Sequence, residues 1–160
     1  MKNINIIKIF LCLTLALGFT SCDEGGDPDP GATAVVEMAG DWTVDVSRNG
    51  ALQTNIHIST YNTAANVPTE MWLDDQNNYY GLKTKVNVDL ATMTFSSTDS
   101  DELYYGVTVT VSDGIITKNG ATAPSNTVVD TISFSVVFSD DPDGVWEFTG
   151  YKRTGFPEDE

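Results

Sequence analysis

Basic residues, histidine and cysteine are scarce in this chain, and each scarcity excludes a class of function. The 160 residues include 8 lysines and arginines against 23 aspartates and glutamates, a formal net charge of −15. A surface of that sign repels phosphate backbones, so nucleic acid is excluded as an expected partner. His57 is the one histidine, and Cys12 and Cys22 are the two cysteines, too few for the ligand sets of structural zinc sites. No G-x-S-x-G motif supplies a nucleophile elbow. Nor is there an apolar run of the roughly 20 residues needed to span a bilayer as a helix. The longest such run is the 11 residues from Ile9 to Phe19. Beyond it no stretch sustains the 3.6-residue period of a helix, and no motif calls for a cofactor.

That apolar run has the length of a secretory h-region, and Lys2 and Lys8 precede it as a positive n-region. Thr20, Ser21 and Cys22 follow, small residues leading into a cysteine, and hydrophobicity then stops. The segment resembles a lipobox. The resemblance implies that residues 1–21 are removed and that Cys22 becomes the lipid-modified N-terminus anchoring the chain to a membrane. Cys12 lies in the discarded segment, and lipidation accounts for a Cys22 that would otherwise be a lone exported thiol. At roughly 0.8 kcal/mol per buried methylene, two or three acyl chains give a lasting anchor.

The mature part keeps six basic residues against all 23 acidic ones, a net charge of −17. Residues 22–34 read as an acidic tether rich in proline and glycine, held extended by charge. Asp23, Glu24, Asp27 and Asp29 crowd the positions after Cys22 and resemble a surface-export signal of Gram-negative lipoproteins. The expected location is therefore the outer membrane, facing the periplasm or the cell surface.

Residues 35–155 form the expected domain, and 156–160 a polar tail. Here the pattern is period two, the strand signal. Trp42, Val44 and Val46 alternate with Thr43, Asp45 and Ser47. Asn49-Gly50 predicts a hairpin, followed by a strand through Ile56 and Ile58. Met71 to Leu73 predicts a short strand, and Tyr79 to Leu90 a longer one. Further strands are expected at Thr92–Ser96 and at Tyr105–Val111. Asp113-Gly114 and Asn119-Gly120 are expected to bracket a short strand, Ile115–Lys118. Ile132 to Phe138 follows, then a turn at Asp140–Gly144 and a last strand through Trp146 and Phe148 to Arg153. About eight or nine antiparallel strands must close into a barrel or stack as a two-sheet sandwich to manage their edges. Periodicity does not choose between these.

Gly40-Asp41-Trp42 opens the first strand and Arg153 closes the last, which resembles the lipocalin or calycin signature. That resemblance implies an antiparallel up-and-down eight-stranded barrel, with Trp42 packed across one end and covered by a basic residue of the final strand. The AGDWTV opening and the run STYNTAANVPTEMWLDD (residues 59–75) are more specific. They resemble the lipid-binding putative hydrolase family of small bacterial lipoproteins over roughly residues 35–155. The resemblance implies a calycin-like fold and a lipid-like ligand.

The residues themselves offer little for hydrolysis. His57 points opposite Ile56 and Ile58 on the alternation, and Ser59 is two residues away, so a triad would need a distant aspartate. Asp140, Asp141 and Asp143 before Gly144 have oxygen ligands for Ca²⁺ but lack the full loop pattern, and read as a turn. Asp99, Asp101 and Glu102 read the same way. Aromatics are more informative, because an eight-stranded barrel either fills with side chains or holds one small ligand. A small apolar or amphipathic ligand is expected against Val107, Val109, Phe134, Val136, Phe138 and Phe148, with Trp72 and Tyr105 as further contacts. The alternatives are a β-sandwich that binds glycan or protein through exposed rings such as Trp72, and a lipid or ester hydrolase.

Overall fold

The computed structural model describes residues 31–159. Alternating side chains place one apolar and one polar face on each strand, and eight strands close that apolar face into a barrel. In chain order they are β1 (Gly40–Arg48), β2 (Ala51–Asn62), β3 (Glu70–Asp74), β4 (Lys83–Asp89), β5 (Thr94–Asp101), β6 (Thr108–Thr122), β7 (Val128–Phe138) and β8 (Asp141–Lys152). Each strand pairs antiparallel with its sequence neighbours, and β8 returns to β1 through pairs such as Val44 with Gly150. This is an up-and-down barrel and not a sandwich. Closure removes the exposed edges that a sheet would leave.

Asp113-Gly114 and Asn119-Gly120 do not bracket a separate strand. Both lie within the 15-residue β6, where the pairing with β7 shifts between Ser112 and Ile115 and between Thr117 and Ala121. Asp113 and Asn119 have φ of 55° and 54°, so each dipeptide forms a bulge that bends the strand instead of reversing it. Gly114 faces Phe95 across the ladder, and a Cβ there would overlap the Phe95 ring and carbonyl. The Asp140–Gly144 turn is also tighter than expected, since β8 begins at Asp141.

Residues 79–82 are not part of a strand. They belong to a loop, 75–82, folded around Asp75. The Asp75 carboxylate accepts from the amides of Asn77 (2.8 Å) and Gly81 (3.0 Å), and its own amide donates to the Leu82 carbonyl at 2.7 Å. The loop carries Tyr80 against Trp146 and Phe138, with ring centroids 4.6 and 4.8 Å apart, and buries Leu82. One barrel end is thereby stoppered.

The opposite end is closed by the segment before β1. A 3-10 turn, Val36–Met38, presents Val35 and Met38, both fully buried. The Trp42 indole Nε1 donates to Thr60 Oγ1 at 2.9 Å, and that hydroxyl donates to the Met38 carbonyl at 2.6 Å. Lys152 Nζ sits 5.9 Å from the Trp42 ring centroid and donates to the Ala39 carbonyl. Lys152 is thus a cation over Trp42, and it is also the register partner of that tryptophan. The next residue, Arg153, donates its backbone amide to the Asp41 carbonyl. A second cation–tryptophan pair stands at the far end, with Arg48 5.7 Å from the Trp146 ring.

Candidate functional site

The barrel interior is a single apolar cluster. Phe134 on β7 and Phe148 on β8 are register partners and stack at 4.6 Å with planes 7° apart, and Phe95 on β5 tilts against Phe134 at 5.7 Å. Val109, Val136 and Phe138 are buried in the same cluster, with Val107 packed at its margin. The inward-facing residues expected from the sequence therefore do meet. Tyr105 does not join them. It lies on the β5–β6 loop, 64% exposed, with its ring laid over Gly81. Trp72 stands half-buried on the outer face of β3, with Lys83 and Lys85 each within 6 Å of its ring centroid (5.9 and 5.7 Å). Cys22 lies outside the described residues.

The wall is not uniform. β4 pairs with β5 only through Asn87, Val88 and Asp89, opposite Ser96, Phe95 and Thr94. Beyond Ser96, β5 slips against β6 in two register shifts and parts from β4. The split faces a cleft of about 400 Å³ lined by Glu70, Trp72, Lys85, Val86, Asp101 and Leu103, among others. Contact resumes at Lys83, through a side chain as well as the backbone. Glu102, 1% exposed, accepts from the amides of Lys83, Tyr104 and Tyr105, and Leu103 N donates to the Lys83 carbonyl.

Sequence reasoning missed the polar hub beside this split. Asp74, 5% exposed, receives Tyr61 Oη (2.6 Å), Lys83 Nζ (2.8 Å), Tyr104 Oη (2.7 Å) and the Gln76 amide (2.8 Å). Burial pushes its carboxyl up, but the combined hydrogen bonds from Lys83, Tyr61, Tyr104 and Gln76 outweigh that and hold it low. The bond to Asp74 raises Lys83, with Tyr61 adding to it. Burial, then the bond to Asp74, lifts Tyr104 to about 12. These bonds tie together β2, β3, β4 and the β5–β6 loop, which makes the cluster a brace between them.

Ser59, on the outer face, donates to Asp41 Oδ1 at 2.5 Å and accepts from Gln76 Nε2 at 2.5 Å. His57 lies opposite Thr43 in the ladder, not Asp41. Asp141 is occupied by a bidentate pair with Arg48 (2.7 and 3.0 Å) and by the Trp146 indole (3.2 Å). Asp99 and Asp101 are exposed, whereas Glu102 is buried. Among the described residues no group of three or more histidine, cysteine or acidic side chains is arranged to hold a metal.

A search of curated proteins finds no significant match. A family model described as "lipid-binding putative hydrolase" matches residues 27–157, which take in all eight strands. With that match laid over a closed calycin-like barrel, the chain belongs to the lipid-binding putative hydrolase family.

Proposed function

We propose that the mature chain is a membrane-anchored lipoprotein whose barrel binds a small apolar or amphipathic, lipid-like ligand. The family match over the whole barrel carries this reading. It is supported by an interior built of aromatic and aliphatic side chains, the kind of lining that takes apolar ligands. The anchor is Cys22, and the acidic stretch after it holds the barrel away from an outer-membrane surface.

Native mass spectrometry of the protein purified from cells tests the binding half. A retained lipid mass is expected, and apo masses alone, with no uptake of added lipid, would sink it. Replacing Cys22 by serine tests the anchor. Incorporation of radiolabelled palmitate should disappear, and unchanged labelling would refute attachment at that residue. For the hydrolase half of the family description, binding is the reading favoured here, because Ser59 engages Asp41 and Gln76 and faces away from the apolar interior.

A further inference from the structure

Both barrel ends are stoppered, at one by Met38 and Trp42 and at the other by Tyr80, Leu82 and Trp146. The wall parts between β4 and β5. Two inward-facing hydroxyls on these strands, Thr84 Oγ1 and Ser97 Oγ, are buried without a hydrogen-bond partner, their residues 0% and 4% exposed. An unsatisfied buried hydroxyl costs about 1–3 kcal/mol; of the three among the described residues, Thr43 Oγ1 lies on the outer face of β1, and the other two flank the β4–β5 split. We propose that ligand enters the barrel sideways through the β4–β5 split, and that Thr84 and Ser97 hydrogen-bond the uncharged polar group of a neutral single-chain lipid.

Val86 belongs both to the outer cleft and to the core, so an alkyl chain passing it meets apolar side chains on the inner side. The mouth selects against anions. Glu70, Asp99 and Asp101 line it with a single cation, Lys85, which already pairs with Glu70 at 3.6 Å. A carboxylate or phosphate headgroup would meet net negative charge there, while a glycerol or ester group would not. The inference rests on the lipid-binding reading and adds the entrance and the headgroup class.

Three tryptophans mark the three conceivable routes: Trp42 at one end, Trp146 at the other and Trp72 at the split. The test uses the full chain with 1-monooleoylglycerol and with oleate, which share a chain and differ in headgroup charge. Adding 1-monooleoylglycerol should change tryptophan emission, and Trp72→Phe should abolish most of that change. Persistence of the full change in Trp72→Phe would overturn sideways entry.

The double variant Thr84→Val, Ser97→Ala should bind 1-monooleoylglycerol roughly tenfold more weakly, the worth of two neutral hydrogen bonds. Its loss of affinity for 1-monooleoylglycerol should exceed its loss for oleate, and the ligand-free protein should melt at a higher temperature. A merely structural role predicts the higher melting temperature with no loss of affinity, and that result would overturn the assignment of the two hydroxyls. Equal affinity of the wild type for both lipids would overturn the headgroup class. If the wild type binds neither lipid while folded, the lipid-binding reading itself falls.

Discussion

The two halves of the barrel wall are held by different physics. From β6 through β7 and β8 to β1 the ladders are long, and apolar partners such as Phe134 and Phe148 face each other directly across the register. From β3 to β5 the ladders are short, and carboxylates stand in where backbone pairing stops. Asp74 gathers three side chains and an amide, and Glu102 takes three amides. A wall closed by backbone ladders resists opening along its whole length. One closed by a few buried carboxylates is strong at those points and weak between them, which suits a place where a ligand passes.

The largest effect should come from the ladder-held half. Phe134→Ala removes the ring that contacts both Phe95 and Phe148 and should cost about 4 kcal/mol in urea unfolding. A cost under about 1 kcal/mol would mean the interior is loosely filled.

Asp74→Ala should cost about 3 kcal/mol, since it strands Lys83, Tyr61 and Tyr104 without their acceptor. Hydrogen exchange sharpens the comparison. The lost protection should concentrate in β3, β4 and residues 102–107, and uniform loss would erase the distinction between the halves.

Glu102→Gln replaces one accepting oxygen by a donor facing backbone amides and should cost about 1–2 kcal/mol. It should also speed lipid uptake, because Glu102 re-closes the split at Lys83. Slower uptake would contradict that role.

The smallest effect is the pH dependence that Asp74, Lys83 and Tyr104 bring to the carboxylate-held half. Tyr104 and Lys83 hold their protons more tightly when folded, so their contribution is complete below their ordinary values of 10.0 and 10.5. It is lost as pH rises, through about 12 for Tyr104. Asp74 is held low, and its contribution vanishes as pH falls through its folded value. Stability should fall at alkaline pH, and Tyr104→Phe should flatten part of that decline. An unchanged alkaline limb in the variant would remove Tyr104 from the account.

Much of the fold was legible in the chain because alternation is a local property. Trp42, Val44 and Val46, or Ile132 to Phe138, declare an inner face without reference to any other strand. Asp113-Gly114 and Asn119-Gly120 form bulges and not turns, because the same dipeptide serves both geometries and the flanking register decides which. Tyr79 and Tyr80 extended an apparent strand, yet Asp75 draws that segment into a loop by accepting the amides of Asn77 and Gly81. The Asp74 hub joins residues as far apart as Tyr61 and Tyr104, and no local pattern announces it.

By itself the sequence determined the all-β character, the apolar face of most strands, the acidic surface and the resemblance that the family match bears out. These follow from composition and from a period of two, which each residue carries with it. The tertiary structure alone decided the register at which the barrel closes and that Lys152 lies over Trp42. It also decided that the ends are stoppered, and that β4 and β5 part beside two unpartnered hydroxyls. Those features depend on register between distant strands, and register exists only once the chain has closed.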